Sequence, residues 1–354
     1  MALLGVGFFG EGNLGDEAIL EGLLAQVPPP CPVAVTAGRQ PLPAPLAARV
    51  RTLPRRGAAA WPAFLAELRR AAQVVFTGGL LQDWSVDGVA FYALRLLAAS
   101  LAGRRPSLWG AGLGPLRSAA ARAIAARVLR RVSAAWMRDR ASAALFQSLT
   151  GRPAHLGCDW SWAIPDPEPP RLPPDAQPVP KELPHPAGAP HPTRVWGINL
   201  RPWRDHRFRE AARQALHDRP PAALLGLAAR QEDAMLLAAT FPGLNIAAPA
   251  SFTDLMRLGR SLAGVWAMRY HVVLAGLRLG LPLMPLAYDD KVKTLVHEIQ
   301  GPSPLEAANS FSPAAQTREL AAPIQATEAF ADAHRQRLSA MSEAFAAFLD
   351  QTPR

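Results

Sequence analysis

The stretch Gly264–Lys293, GVWAMRYHVVLAGLRLGLPLMPLAYDDKVK, predicts a strand, a helix, a second strand and a loop in succession. Gly264–Ala267 and Leu281–Ala287 are apolar runs without a charged residue, which suits strands buried on both faces of a sheet. Between them, Val272–Leu279 has the apolar spacing of a helix, and Gly280 is a typical helix stop. Strand, helix and strand in this order indicate a parallel α/β unit.

Two polar clusters, Arg269–His271 and Asp289–Lys293, each follow one of these predicted strands. Open α/β sheets bind ligands beside the carboxyl ends of their strands, so both clusters are candidate site segments. An arginine, a histidine and a lysine at one sheet edge can hold a small polyanion and move a proton. The chain has only three lysines, Lys181, Lys291 and Lys293. This scarcity favours a functional role for Lys291, because lysine supplies a compact charge that arginine does not.

The composition is that of a globular protein large enough for two domains, with 354 residues, 49% hydrophobic and 19% charged. There is no apolar run long enough to span a membrane, and two cysteines cannot build a disulfide framework, so we expect a cytoplasmic protein. The net charge of +10 comes without a dense basic block or an RNA-binding motif. Nucleic acid is therefore not an expected partner, whereas an anionic substrate or membrane surface remains open.

The amino-terminal segment begins with a predicted strand, Leu3–Val6, and the formal GxGxxG pattern of Gly5–Gly10. A dinucleotide site would need a helix that begins inside this pattern. Here the polar loop continues and the helix is predicted only from Glu17 to Gln26, so the nucleotide signal is weak. Asp16 either caps that helix or contacts a ligand hydroxyl.

Further units of strand, glycine-rich loop and helix follow, which predicts an α/β fold with two Rossmann-like, doubly wound domains. We expect a first domain at residues 1–164, a second at 194–325 and a carboxyl-terminal helix at 326–354 that packs back on the first domain. Proline recurs through residues 165–193, which predicts a semi-rigid linker. Polar residues recur just after predicted strands, where each can serve either a ligand or a structural cap: Gln82, Asp83, Arg138, Asp139 and Asp159.

Seven short motifs in order resemble the polysaccharide pyruvyl transferases, most closely the CsaB-type branch, over nearly the full length. The motifs are GNLGDEAIL (12–20), GGLLQD (78–83), GAGLGP (110–115), RDRAS (138–142), RPW (201–203), MRYH (268–271) and YDDKV (288–292). Tyr270 and Ala111 stand where Leu and Gln are commoner, and Cys158–Trp160 matches an Asp-Pro segment only loosely.

The resemblance implies a fold similar to the GT-B glycosyltransferases, with two domains facing a cleft. It also implies transfer of the enolpyruvyl carbons of phosphoenolpyruvate to a sugar, as a cyclic ketal, with release of phosphate. The CsaB-type acceptor is N-acetylmannosamine of a lipid-linked cell-wall precursor, and the ketal later anchors surface-layer proteins. A lipid-linked acceptor would bring the enzyme to the inner face of the cytoplasmic membrane.

Phosphoenolpyruvate carries two anionic groups, so its pocket needs fixed positive charge, and protonation of its methylene needs a general acid. His271 is the predicted acid, and either Asp16 or Asp83 the base that takes the hydroxyl proton. The predicted donor-binding residues are Arg269, Lys291, Arg138 and Arg201, and the predicted acceptor-binding residues are Asn13, Gly15 and Gln82.

Asp289 and Asp290 are interpreted as helix caps rather than catalytic groups. No spacing of His, Cys or carboxylates is typical of a metal site, so we expect no essential metal and no cofactor besides phosphoenolpyruvate as co-substrate. Two other functions stay open from the sequence: a nucleotide-sugar glycosyltransferase of the same architecture, and a sugar-binding protein without catalysis.

Overall fold

The computed structural model describes residues 2–84, 86–167, 195–203, 209–210, 212–213, 224–300, 324 and 327–351. The predicted proline-rich linker lies outside these residues, apart from its first three positions. We call residues 2–167 the first domain and residues 195–300 the second domain. Among the described residues, no helix combines the length and the hydropathy needed to cross a bilayer.

The first domain is built on a parallel sheet of seven strands within the described residues, in the order β3-β2-β1-β4-β5-β6-β7. Its strands are β1 (Leu3–Phe9), β2 (Val33–Ala37), β3 (Val50–Pro54), β4 (Gln73–Leu80), β5 (Pro106–Leu113), β6 (Ala135–Met137) and β7 (His155–Leu156). Its helices are α1 (Leu14–Ala25), α2 (Ala44–Ala47), α3 (Ala60–Arg70), α4 (Val86–Leu101), α5 (Ala119–Leu129) and α6 (Arg140–Thr150), followed by a 3₁₀ turn at Trp160–Ala163.

The second domain repeats the arrangement, and its described part contains five parallel strands in the order β10-β9-β8-β11-β12. The strands are β8 (Trp196–Asn199), β9 (Leu224–Leu227), β10 (Ile246–Ala247), β11 (Gly264–Ala267) and β12 (Leu283–Pro285). The described helices are α7 (Gln231–Thr240), α8 (Phe252–Gly259), α9 (Tyr270–Arg278) and α10 (Asp290–Gln300), and α11 (Glu328–Asp350) follows later in the chain.

Both sheets are doubly wound, which confirms the predicted fold class of two Rossmann-like domains. The strand order reverses between β1 and β4 in the first sheet and between β8 and β11 in the second. Ligands of such sheets bind in the crevice outside the carboxyl ends of the strands at this switch point. Loops from the carboxyl ends of both sheets contact each other, as in the 3.3 Å hydrogen bond from the Leu14 N–H to the Ala229 carbonyl.

One predicted boundary is wrong in a way that matters for the site. Helix α1 begins at Leu14, not at Glu17, and Asn13 occupies its N-cap position. Asp16 therefore lies in the first turn of the helix and does not cap it. The helix start was predicted too late because Gly15 lies in the first turn, and glycine is a poor helix former.

Helix α11 packs against the first domain, although it follows the second domain in sequence. Phe345 lies edge-on to Trp109, with 5.0 Å between ring centroids, and Phe348 is 5.3 Å from the same ring. The Gln73 side-chain amide donates to the Phe348 carbonyl at 3.0 Å. These aromatic contacts belong to an apolar core that includes residues of both domains. Burial of such large rings on both sides is a strong constraint on how the domains are joined.

Candidate active site

The amino-terminal ends of helices α1 and α9 meet at the interface between the two domains. His271 is the second residue of α9, and its imidazole lies directly against Gly15 of α1. A Cβ atom at position 15 would stand 2.0 Å from the His271 Nδ1, which no side chain could tolerate. Gly15 is therefore required by the close approach of the histidine rather than by backbone freedom.

Asp159 joins His271 to a buried arginine. Its Oδ1 lies 3.4 Å from the His271 Nε2, and its Oδ2 lies 3.3 Å from Nη1 of Arg138. The Ser161 hydroxyl and N–H also donate to Oδ1, at 2.7 and 3.0 Å. Burial of Asp159 opposes ionisation, but the neighbouring His271 imidazole and the charge of Arg138 hold the pKa of its carboxyl well below the usual range. An ionised Asp159 orients the imidazole and balances the positive charge around it.

Asp159 was not among the residues predicted for the site. The available signal was its position after a short apolar segment at the carboxyl edge of the sheet, which it shares with several ordinary capping residues. The tertiary structure gives it both roles. It orients His271, and it also starts the 3₁₀ turn at Trp160–Ala163.

Asp16, from the first turn of α1, lies close to the same group of charges. Asn13 donates its side-chain amide to the Asp16 Oδ2. Burial raises the pKa of Asp16 above its usual value, although the nearby charges of His271 and Lys291 pull it down. A carboxylate with a raised pKa is a better proton acceptor near neutral pH than an ordinary aspartate.

Asp83, the alternative base, is engaged elsewhere. Its Oδ2 accepts backbone N–H groups from Arg117 at 2.6 Å and Ser118 at 2.8 Å, just before helix α5. Burial of Asp83 would raise its pKa, but the hydrogen bonds from Ser118 and Arg117 outweigh it and lower the pKa below the usual value. These contacts make Asp83 a fixed structural acceptor and a weak base.

Arg138 and Lys291, two of the predicted donor-binding residues, line one pocket of about 190 Å³ between the domains. The Lys291 Nζ is 3.4 Å from Asp289, and 34% of its side chain is exposed. Arg138 is buried, and its Nε makes no hydrogen bond among the described residues, although the Asp139 Oδ2 lies 3.5 Å from it. Because the described contacts leave these donors incompletely satisfied, an anionic ligand in the pocket would complete them.

Three aspartates also line this pocket, and two of them are turned toward helix starts. Asp139 accepts the Ser142 N–H at 2.7 Å at the start of α6, and Asp289 accepts the Val292 N–H at 3.1 Å at the start of α10. The first turns of both helices border the pocket and add the partial positive charge of a helix amino terminus. The contact of Asp289 bears out its interpretation as a cap.

The structure places Arg269 and Arg201 outside the lining of this pocket. Arg269 is buried, with Nη2 2.6 Å from Asp233 and 3.0 Å from Glu232, both on α7. Arg201 donates its Nη1 to the Tyr288 hydroxyl at 2.6 Å. Arg269 therefore supports the turn between β11 and α9 that carries His271, in addition to any contact with a ligand.

Among the predicted acceptor-binding residues, Gln82 lines the pocket, whereas Asn13 and Gly15 lie beside Asp16 and His271. His271 does not line the pocket itself. It lies next to the pocket, where Asp159 links it to Arg138 and where Asp16 is close to both His271 and Lys291. The arrangement thus combines a pocket lined by two cationic side chains, a histidine oriented by a carboxylate and a second carboxylate of raised pKa. Such a set of groups can bind a small polyanion and transfer protons to and from it.

Solved structures with the same fold are distant in sequence. The chain is similar to Anabaena HepE in complex with UDP-glucose, with a TM-score of 0.56, 12% identity and 99% of each chain covered. It is also similar to S. aureus MnaA with UDP, with a TM-score of 0.52, 8% identity and 84% and 82% of the two chains covered. A UDP-GlcNAc 2-epimerase from Neisseria meningitidis gives a TM-score of 0.50 at 10% identity over 99% of each chain. At these identities the likeness shows a GT-B-like fold and nothing about ligands.

No individual curated protein matches the chain at a significant level. The sequence profile of one family does match, over residues 13–290, from the N-cap of α1 to the first residue of α10. That range includes Asp16, Arg138, Asp159 and His271, the groups that meet at the domain interface. The chain therefore belongs to the polysaccharide pyruvyl transferase family.

Proposed function

We propose that this transferase moves the enolpyruvyl carbons of phosphoenolpyruvate onto two hydroxyls of one sugar, which gives a cyclic ketal and phosphate. The observation that carries the proposal is the pocket of Arg138 and Lys291 beside the Asp159–His271 pair. Its volume of about 190 Å³ suits a small donor rather than a nucleotide sugar. No cofactor is required, because the donor supplies both the carbons and the leaving group.

The donor carries a phosphate and a carboxylate, and the pocket offers a complementary set of donors. The Arg138 Nε makes no hydrogen bond among the described residues, and Lys291, whose side chain is 34% exposed, places its ammonium at the start of α10. Arginine binds a planar carboxylate in a fixed fork, whereas lysine offers a point charge that suits phosphate. Arg138 is therefore assigned to the carboxylate of the donor and Lys291 to its phosphate.

His271 is assigned as the general acid. Transfer begins when a proton is added to the terminal methylene of the donor, which leaves an oxocarbenium-like carbon at the former enol position. One sugar hydroxyl attacks this carbon and loses its proton to a base, and a second hydroxyl then displaces phosphate with cleavage of the carbon–oxygen bond. The former enol carbon loses its double bond and its phosphate ester, and it gains two carbon–oxygen bonds to the sugar. The phosphate leaves with the proton of the second hydroxyl. Asp159 holds the imidazole in place for the first step.

Asp16 is assigned as the base, in preference to Asp83. Its pKa is raised by burial, and it lies near the charges of His271 and Lys291. Asp83 is held by two backbone N–H groups, which leaves its pKa lowered. The choice between the two predicted bases thus follows from their surroundings rather than from their motifs.

The acceptor is proposed to be an N-acetylmannosamine unit of a lipid-linked cell-wall precursor, used at the inner face of the cytoplasmic membrane. This part rests on the sequence resemblance to the CsaB-type branch. A nucleotide-sugar glycosyltransferase remains the competing activity, since the fold is common to both.

Phosphate release decides between these activities. Purified protein is incubated with phosphoenolpyruvate, with and without an N-acetylmannosamine glycoside, and separately with a panel of nucleotide sugars. Acceptor-dependent phosphate release supports the proposal, and nucleoside diphosphate release alone would refute it.

His271→Gln should lower kcat about 10²–10⁴-fold while keeping donor binding, because glutamine can donate a hydrogen bond but cannot act as a comparable acid. A wild-type kcat and pH profile in this variant would remove His271 from the mechanism.

A further inference from the structure

Three aromatic side chains from both domains meet beside the donor pocket. Trp84 follows β4 and lines the pocket, Trp203 follows β8, and Tyr288 follows β12. The Trp84 and Trp203 rings are 5.7 Å apart at 88°, and those of Trp203 and Tyr288 are 4.7 Å apart at 70°. We call these three residues the aromatic wall. All follow the carboxyl ends of strands, so the wall stands where substrates enter a fold of this type.

The aromatic wall is neither a core nor a freely exposed surface. Tyr288 is buried, while Trp84 and Trp203 are half-buried and keep part of their rings accessible. The other pocket residues include Arg138, Asp139, Asp289, Asp290 and Lys291, so Trp84 exposes apolar surface beside charged groups, and Trp203 packs edge-on against it. Apolar aromatic surface beside a few placed polar groups is the usual composition of a small-molecule binding site.

Arg201 anchors the wall and adds a polar group to it. Its Nη1 donates to the Tyr288 hydroxyl at 2.6 Å, and its guanidinium lies 5.4 Å from the Trp203 ring centre. The Arg201 Nε is buried and has no hydrogen-bond partner among the described residues. A buried donor without a partner is costly unless a ligand satisfies it. The Arg117 guanidinium lies over the Trp84 ring at 4.4 Å, closer than Arg201 lies to Trp203, which makes Trp203 the less closely covered of the two indoles.

We propose that the aromatic wall and Arg201 form the acceptor subsite, in which the pyranose ring of the sugar stacks on Trp203 and a sugar oxygen accepts from Arg201. A pyranose has a face of C–H groups that packs on an aromatic ring and equatorial oxygens that accept hydrogen bonds. The donor pocket of about 190 Å³ is filled by the donor, so the sugar must approach from its border. Trp84 connects the wall to that border. This inference rests on the proposed function, because it names the second substrate of the same site.

Sugar binding without turnover gives the direct test. Saturation-transfer NMR titrations use the wild type with methyl glycosides of N-acetylmannosamine, N-acetylglucosamine and galactose, and with UDP. Two variants share one position: Trp203→Phe keeps an aromatic face, and Trp203→Leu keeps only apolar bulk. We expect transfer to the ring C–H protons of at least one glycoside, kept in Trp203→Phe and weakened about 2- to 10-fold in Trp203→Leu. Calorimetric titration of phosphoenolpyruvate should give the same affinity in all three proteins.

Each other outcome overturns the inference. Equal glycoside binding in Trp203→Leu and the wild type would show that Trp203 does not stack on the sugar, as would binding of UDP alone. Absence of transfer to every glycoside would show that no acceptor subsite exists in the free protein. A lowered melting temperature together with weakened phosphoenolpyruvate binding in Trp203→Leu would show that the aromatic wall only stabilises the contact between the domains. Failure of the proposed function is distinct, since it would appear as absent phosphoenolpyruvate binding or phosphate release in the wild type.

Discussion

At the scale of single residues, burial and hydrogen bonding divide the chemistry among similar side chains. Asp16, Asp83 and Asp159 all follow strands of the first sheet, yet their pKa values shift in different directions. Burial dominates at Asp16, while backbone N–H groups dominate at Asp83, and His271 with Arg138 dominates at Asp159. Carboxylates whose environments push their pKa values apart commonly have different roles in one site.

Exchange of each candidate base for asparagine separates the two. Asp16→Asn should lower kcat about 10²–10⁴-fold with little change in donor binding, because the amide cannot accept the hydroxyl proton. Asp83→Asn should keep most of kcat and lower the free energy of unfolding by about 0.5–1.5 kcal/mol, because two backbone N–H groups lose their charged acceptor. Wild-type kcat should also fall at acidic pH, as Asp16 becomes protonated. Equal kinetic losses in both variants would contradict the assignment.

Lys291 and Lys293 form a matched pair for the donor site. Both lie on α10 with similar exposure, 34% and 31% of the side chain, but only Lys291 lines the donor pocket. Lys291→Ala should raise KM for phosphoenolpyruvate about 10- to 150-fold, the range for a hydrogen bond to a charged group. Lys291→Arg should recover part of this loss. Steady-state kinetics should show Lys293→Ala near the wild type, and a similar KM in both alanine variants would refute a donor role for Lys291.

Glu17 should make the folding stability of the chain fall as pH rises. It is 8% exposed, its Oε1 accepts the Gly10 N–H at 2.8 Å, and burial raises its pKa from 4.5 to about 8. Between these values the folded chain holds a proton that the unfolded chain has released, so stability falls as pH rises. Glu17→Gln is neutral in both states, so its urea midpoint should fall less between pH 5 and pH 8. Parallel pH profiles for the variant and the wild type would contradict the assignment.

At the scale of elements, helix α11 joins the first domain to the second. Phe345 and Phe348 pack on Trp109 of β5, and Arg337 pairs with Glu298 of α10 at 3.2 Å. His334 stacks on Trp162 with ring centroids 4.9 Å apart. One helix thus contacts the core of the first domain and the helix that carries Lys291.

Acid should weaken this helix contact through His334. Burial lowers the pKa of His334 to about 4, and although Glu298 lies 3.8 Å away, Arg337 balances its charge. The unfolded chain takes up a proton near pH 6.5 while the folded chain stays neutral, so stability is lost as pH falls from about 6.5 to 4. The melting-temperature advantage of the wild type over His334→Gln should therefore shrink over this range. A constant difference in melting temperature would show that protonation of His334 does not cause the loss of stability in acid.

At the scale of the whole molecule, two sheets present their carboxyl ends to one interface, and the groups that meet there come from both domains. His271 of the second domain pairs with Asp159 of the first, and Arg230 donates to the Glu11 carbonyl at 2.6 Å. Neither domain alone carries the complete set. The chain as a whole bears a net charge of +10, which favours anionic surfaces.

Salt should control any association with the membrane. If the acceptor is lipid-linked and the protein is held at the inner membrane surface by its arginines, membranes prepared in low salt should retain it. Washing with about 1 M salt should release it, because the Debye length falls to about 3 Å. Immunoblots of both fractions check this outcome. Retention in high salt, or recovery only outside the cytoplasm, would contradict an electrostatic association.

The local pattern of the sequence was sufficient for the fold class, because strand, glycine-rich loop and helix alternate with recognisable spacing. It also indicated where site residues stand, since polar residues such as Arg138 and His271 follow apolar strands. The motif order carried the family assignment. These features depend on neighbours within a few positions, and local propensity and patterning encode them directly.

Only the tertiary structure decided which of these residues act together. The pairing of Asp159 with His271 and of Arg269 with Asp233 joins residues far apart in sequence, and no local pattern specifies such distances. The different surroundings of Asp16 and Asp83 likewise arise from burial and from backbone groups contributed by other segments. The need for glycine at position 15 follows from the imidazole packed against it by another domain. Charge, burial and close contact are properties of the assembled interface, which is why the sequence left the two candidate bases as alternatives and only the structure shows that their surroundings differ.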